Sequence, residues 1–406
     1  MKIAIFTDLY LDTPGGIPTS IRAQKEALKK AGHEVVVFCP GRYSYDQDVV
    51  LVATRFIKIE NAPIAKTPNK IEKFILKQFP NFAEEFDVVH VHYEAGCSIA
   101  GIKIAQRFSM PVVQTMHGRE DMAVAINVPH PLKTITATSL NFLHGKSLGF
   151  QRRVKKDSEL APTRARAKMW TLMARQANAA DIVTTPSQHF ADKLKRYGVK
   201  RDIKVISNGV DDELALSRNW QIRKFKQGET LKIVWANRIS KEKRFLPFLE
   251  ALALIRNLDF EFLVIGDGNE LAAAKKFVKK HGLSRKVIFK GAKPHDEVLE
   301  YFADQHVSVI NSYGFDTQGL TILEAAACGL PVIYADPDMG QIVPKNGGLQ
   351  AKNNSPSAMA AVIERIFKQP DLIEKMSQAM MEQRKEVLQS TQIRKLLEIY
   401  ENLGKL

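Results

Sequence analysis

Strands and helices alternate twice along this chain of 406 residues, which predicts an α/β protein of two doubly wound domains. Three observations carry the prediction. The apolar run Lys2 to Thr7, a loop holding Gly15 and Gly16, a helical stretch Ser20 to Ala31 stopped by Gly32, and a second apolar run Val35 to Cys39 form a strand-loop-helix-strand unit. The same alternation restarts at Leu231 with LKIVWANR. Within the restart, SYGFDTQGLTILEAAACGLP (Ser312 to Pro331) follows the strand-like VSVI, and its Leu320, Leu323 and Ala327 recur at helical spacing until Gly329 and Pro331 stop them. A strand therefore feeds a glycine loop and then a helix, whose start aims free N–H groups and a positive dipole end beyond the sheet. Asp316 lies in that loop and Glu324 in the helix.

Composition bounds the function. A chain this long makes two ordinary domains, and 45% hydrophobic with 25% charged residues is globular usage. No apolar run is long enough to span a bilayer. The opening MKIAIFTD meets Asp8 at once, so a first strand is expected there and not a signal peptide. Three cysteines, odd in number and without metal-ligand spacing, fit a reduced cytoplasmic protein with no metal site. A net charge of +15 suits nucleic acid, an anionic membrane or anionic small substrates.

In the first half, Gly15 and Gly16 let the backbone approach a diphosphate, although two glycines alone are most often a tight turn. NKIEKFILKQF (Asn69 to Phe79), bounded by Pro68 and Pro80, places Lys70, Lys73 and Lys77 on one side of a helix, with Ile71, Phe74, Ile75 and Phe79 over much of the rest. It has the profile of a basic amphipathic helix on an anionic membrane, weighed against a surface helix packed on the sheet. DVVHVH (Asp87 to His92) and Pro111 to Met116 read as strands, which puts His117 just past a strand end, where open α/β sheets bind ligands. Arg119, Glu120 and Asp121 follow, as residues that could meet an acceptor. From Asn127 to Lys168 no strand pattern appears. Arg152, Arg153, Lys155 and Lys156 lie there among further cations, near Phe142, Leu143 and Phe150, a composition suited to phospholipid headgroups. Nucleic acid is disfavoured, since the aromatics do not form a stacking platform on strands. Ala165 to Ala180 reads as a helix, Asp181 to Pro186 as a strand, and IKVISNGVD (Ile203 to Asp211) ends the domain.

Asp212 to Thr230 reads as a linker. Strands follow from Leu231, over Phe260 to Ile265, Lys286 to Lys290, Val307 to Asn311 and Pro331 to Ala335. Arg238 and Lys243 stand after the first of these, and Ser355-Pro356 reads as the cap of a helix running to Phe367.

The string LEAAACGLPVI (Leu323 to Ile333), with NGVD at Asn208, Arg238 and Lys243 in ANRISKEKR, VIGDGNE at Val264 and KGAKPHDE at Lys290, resembles the retaining GT-B glycosyltransferases of family four. Asp316 stands where the family's first glutamate is usual, and Thr317 to Thr321 is similar to the SQGLT wording of bacterial diacylglycerol glucosyltransferases. The resemblance implies two Rossmann-like domains facing each other across a cleft: residues 1–210 on the acceptor side, and 211–385 binding a nucleotide sugar. A last helix within 386–406 crosses back to the first domain. It implies hexose transfer, first glucose, from a UDP-sugar, with a GDP-sugar second, to a membrane lipid such as diacylglycerol, without a metal or other cofactor. The expected location is the inner face of the cell membrane. Catalytic roles fall on His117, Asp316, Arg238 and Lys243. Donor binding falls on Gly15, Gly16, Arg238, Lys243, Gly319, Leu320, Thr321 and Glu324, the last to the ribose hydroxyls. Lys70, Lys73, Lys77, Arg152, Arg153, Lys155 and Lys156 are the expected membrane and acceptor residues. Polysaccharide or teichoic-acid-type acceptors are the alternative, and a non-catalytic nucleic-acid-binding protein explains the charge but not Asp316 and Glu324.

Overall fold

The computed structural model describes residues 1–9, 15–59, 62–216 and 218–404. They divide into two compact units, Met1–Ser207 with Ile393–Leu406, and Asn208–Gln392. Residues 10–14, which lead into Gly15, lie outside the described residues.

Unit 1 is built on a parallel sheet of β1 (Lys2–Thr7), β2 (Glu34–Pro40), β3 (Val49–Val52), β6 (Val88–His92), β7 (Val112–Thr115), β8 (Ile182–Thr185) and β9 (Asp202–Val205), with β4 (Thr54–Ile59) and β5 (Ala62–Ala65) as a separate antiparallel pair. The order β3-β2-β1-β6-β7-β8-β9 reverses direction between β1 and β6. β1 is apolar from Ile3 to Phe6 because both of its faces are covered. Ala4 and Phe6 join a core with Phe38, Phe82 and Val91 on one side. Ile3 and Ile5 join Ile21, Leu28, Ile393, Leu396 and Leu403 on the other. The last helix, Gln389–Leu403, thus completes a face of the first sheet, while residues 386–392 belong to unit 2.

Unit 2 repeats the plan with β10 (Leu231–Ala236), β11 (Phe260–Ile265), β12 (Val287–Gly291), β13 (Val307–Ile310), β14 (Val332–Tyr334) and β15 (Gly348–Gln350). The order is β12-β11-β10-β13-β14-β15, parallel at every pairing, and it reverses between β10 and β13. Ile233 and Trp235 face one core and Val234 the other, as the two-residue period of a strand requires.

Several expectations change. The helix after β1 starts at Gly16, four residues before Ser20. The expected linker 212–230 is folded into unit 2: Asp212–Leu216 is helical, and Trp220, Arg223 and Phe225 are buried. The helix Pro68–Gln78 exposes Lys70, Lys73 and Lys77 to solvent, but Ile71 and Ile75 are fully buried in the core of unit 1. Most of its apolar stripe is therefore spent on the sheet, and Phe74 is what remains outside. No helix among the described residues is long and apolar enough to cross a membrane.

Candidate active site

Open α/β sheets bind ligands beyond the carboxyl ends of their strands, at the point where strand order reverses. In unit 2 that point is the end of β10 and β13. Asn237 and Arg238 leave β10, and Asn311 to Gly319 leave β13. Gly319 caps the helix Leu320–Ala327 with φ 74°, a left-handed conformation that glycine adopts without a Cβ penalty. Thr321 fastens this helix to β10: its hydroxyl donates to the Ala236 carbonyl at 3.0 Å and accepts from Asn237 Nδ2 at 3.1 Å. The Thr321 side chain is thus a structural tie, and Leu320 is partly buried among apolar neighbours. What the helix start offers a phosphate is its backbone N–H groups.

The loop brings Asp316 to Lys243. Their Oδ1 and Nζ lie 2.6 Å apart, both side chains largely buried, and Ser312 Oγ donates to the other carboxylate oxygen. Burial by itself would raise the pKa of Asp316, but Lys243, the Ser312 hydroxyl and nearby Arg238 hold it below the ordinary value. The resemblance implied a catalytic role for each of these two residues, with donor binding for Lys243 as well. The structure couples them, so Asp316 sets where the ammonium sits. Arg238 is exposed and pairs with Glu242 at 3.0 Å, and Ser240 Oγ donates to the same Glu242 oxygen at 2.6 Å. Glu324 is buried and meets His295 Nδ1 at 3.3 Å. Burial raises its pKa and His295 opposes the rise. Glu242, Ser312 and His295 went unnoticed in the sequence. The contact made by Asn208 could not be read from its motif: its backbone N–H and Nδ2 donate to Gln318 Oε1 at 3.0 and 2.7 Å, which ties the NGVD segment to this loop.

In unit 1 the reversal point is the end of β1 and β6. Asp8, after β1, accepts from the backbone N–H groups of Ala95, Cys97 and Ser98 and so caps the helix Gly96–Arg107. Gly16 opens the helix Gly16–Lys30, with Gly15 as its cap. His117 follows β7, and its Nε2 lies 2.7 Å from Nδ1 of His92, the last residue of β6. Burial lowers the His117 pKa to about 4 and drives His92 well down, so both rings are neutral near pH 7 and one N–H serves the bond between them. Of the acceptor candidates after His117, Arg119 and Asp121 are consumed in a buried lock. Arg119 Nε donates to Asp121 at 2.7 Å, Arg166 Nε to the other oxygen at 2.8 Å, and the Arg119 guanidinium stands 5.2 Å from the Trp170 ring centroid. Glu120 is half-buried and accepts from the Tyr93 hydroxyl at 3.2 Å. Burial pushes its pKa up to about 7, against the Tyr93 hydrogen bond. Glu94 is driven well up by burial and by the charges of Glu120 and Asp8.

Comparison with known proteins agrees with both units. The family model "Glycosyltransferase Family 4" matches residues 14–214 and "Glycosyl transferases group 1" matches 217–384. Among curated proteins, the alpha-monoglucosyldiacylglycerol synthase of Streptococcus pneumoniae is 26% identical over 92% of this chain and 80% of its own. The enzyme of the same name from Acholeplasma laidlawii is 24% identical over 84% and 81%. Among solved structures, the sucrose-phosphate synthase of Thermosynechococcus elongatus superposes with a TM-score of 0.70 at 19% identity, over 99% of this chain and 98% of its own. Anabaena HepE in complex with UDP gives 0.68 at 16%, over the whole of both chains. With two Rossmann-like parallel sheets, and both halves matched by glycosyltransferase models, this chain belongs to family 4 of the glycosyltransferases and has the GT-B fold.

Proposed function

We propose that the chain transfers a hexose, glucose as first choice, from a UDP-sugar (GDP-sugar second) to the hydroxyl of a membrane lipid such as diacylglycerol, with retention and without a metal. The observation that carries the reading is the Lys243–Asp316 pair beside Arg238 at the carboxyl edge of the second sheet. Two cations fixed there offset the charge that builds on a departing diphosphate. Glu324, held by His295, is placed to accept from ribose hydroxyls, and the N–H groups at Gly319 to Thr321 and at Gly15 and Gly16 serve phosphate oxygens. Asp316 acts first by aiming Lys243, and its remaining lone pairs serve sugar hydroxyls. Neutral His117 holds a sugar hydroxyl by hydrogen bonding and carries no charge itself. In the transfer the bond from the anomeric carbon to the diphosphate breaks. A bond from the same face to the acceptor oxygen forms, and the acceptor proton passes to the leaving diphosphate. The lipid acceptor is supported by relatives whose names specify glucosyldiacylglycerol synthesis.

The test has two parts. Melting with a panel of nucleoside diphosphates identifies the base, since a ligand at a hundred times its Kd adds about 2.7 kcal/mol. Radiolabelled UDP-glucose is then supplied with diacylglycerol, and label is expected in the lipid extract. Label in an aqueous polymer would instead favour the polysaccharide or teichoic-acid-type acceptor.

A further inference from the structure

The helix Leu132–Leu148 has two unlike faces. One buries Ala137 and His144. On that side it is fastened to the helix Arg164–Asn178, for Asn141 Nδ2 donates to the Lys168 carbonyl and Arg175 donates to Asn141 oxygens at 3.1 Å. The other face carries Leu132, Ile135, Phe142 and Leu143, which fall within a narrow arc at 3.6 residues per turn. They are 50%, 62%, 61% and 54% exposed, and Phe150 just beyond the helix is 92% exposed. The row runs about 16 Å along the axis at 1.5 Å per residue. Exposed Ser139 divides the row into two apolar pairs, and large apolar side chains gathered like this on a water-facing helix mark an interaction surface.

Charge identifies what covers it. Lys146 lies over the Phe142 ring at 4.6 Å. Arg152, Arg153, Lys155 and Lys156 are exposed in the non-helical segment that follows Phe150. The acids of that segment are already engaged. Asp157 accepts from the Tyr197 hydroxyl and from three backbone N–H groups, and Glu159 pairs with Arg196 at 2.5 Å. A second copy of the chain docked on this face would bring two cationic rims together, which is repulsive. An anionic bilayer matches both parts, with apolar side chains in the acyl boundary and cations at the phosphates. We infer that the outer face of Leu132–Leu148 with Phe150 inserts into an anionic membrane surface, the Arg152 to Lys156 segment clamping lipid headgroups beside it. The inserting element is thus this helix and not Pro68–Gln78, whose Ile71 and Ile75 are already committed to the core. The inference deepens the lipid-acceptor reading without needing its chemistry.

The experiment floats the full chain with vesicles of phosphatidylcholine, alone or mixed with phosphatidylglycerol, at low and high salt. Wild type is expected to float with the anionic vesicles. F142S/L143S should lower partitioning at least about tenfold at unchanged melting temperature, because both side chains are exposed. R152E/R153E/K155E/K156E should abolish the salt-sensitive part, while K70E/K73E/K77E should keep most of the binding. An F150W emission band should shift blue and be quenched by brominated lipid. Wild-type flotation of F142S/L143S would overturn the inference. So would no flotation of the wild-type chain, or a self-associated chain in ultracentrifugation that F142S/L143S turns monomeric. A short-chain acceptor in solution separates the two readings. F142S/L143S should turn it over at the wild-type rate, whereas no turnover by any chain, with flotation intact, would sink the acceptor reading alone.

Discussion

Strands β1 and β10 each lead into the point where their sheet reverses direction, yet the side chains gathered beyond them are of opposite character. Beyond β10 stand Arg238 and Lys243, with Asp316 held ionised by its cation. At the ends of β1, β6 and β7 stand Asp8, Glu94 and Glu120, whose pKa values are all raised, and His92 and His117, whose rings are neutral. Topology decides where a ligand lies, and local charge decides which. The second edge suits a diphosphate. At the first edge these side chains suit hydrogen bonding to uncharged groups, and what serves a phosphate there in the proposed reaction is the backbone at Gly15 and Gly16.

The comparison breaks most visibly at Lys243. Lys243→Ala should cut sugar transfer about 10²- to 10³-fold, as loss of a fixed cation at developing charge does. It also strands Asp316 in a buried site, so melting temperature should fall. K243A/D316N should recover the melting temperature and not the turnover. Recovery of turnover as well would assign Lys243 to packing and remove the electrostatic contrast. Glu324→Gln should weaken nucleoside diphosphate binding by about 10- to 100-fold in calorimetry, the scale of a hydrogen bond to a charged acceptor. Unchanged affinity would place the ribose elsewhere.

A smaller effect tests the acidic edge. Glu120 titrates near 7 in the fold and near 4.5 unfolded. Between those values the unfolded chain has lost the proton that the native chain keeps, so this group costs stability as pH rises. Glu120→Gln should therefore raise melting temperature above pH 7 and have no such effect below about pH 4.5. A pH-independent difference would mean that Glu120 is simply solvated. The smallest effect is structural. Ser355 Oγ accepts from Ala358 N–H at 3.2 Å at the start of Pro356–Lys368, and Ser355→Ala should cost unit 2 about 1 kcal/mol in denaturant melts.

That cap was legible because it is local: a serine, a proline and an apolar period suffice. The long apolar strands and the turn from β13 into its helix were legible for the same reason. The edge strands β3 and β15 were not, being three or four residues long with no distinguishing period. The contacts that define the site join residues far apart in the chain. Lys243 meets Asp316 73 residues on, and Asn208 meets Gln318 across 110. Patterning places each partner on an element, and only sheet order brings the elements together. Amphipathicity misled for a related reason. Pro68–Gln78 and Leu132–Leu148 both carry apolar and basic residues, but the first turns its isoleucines inward and the second turns a hydrophobic row outward. A helical wheel does not say which side meets the sheet.

The helix Gln389–Leu403 has a consequence for biosynthesis. Ile393, Leu396, Ile399 and Leu403 cover Ile3, Ile5 and Leu28, side chains synthesised before the whole of unit 2. Until those late residues leave the ribosome, one side of the earliest sheet is wet and adhesive. The nascent chain must carry that exposed face through the synthesis of the whole second unit, an interval in which chaperone capture or aggregation competes with closure.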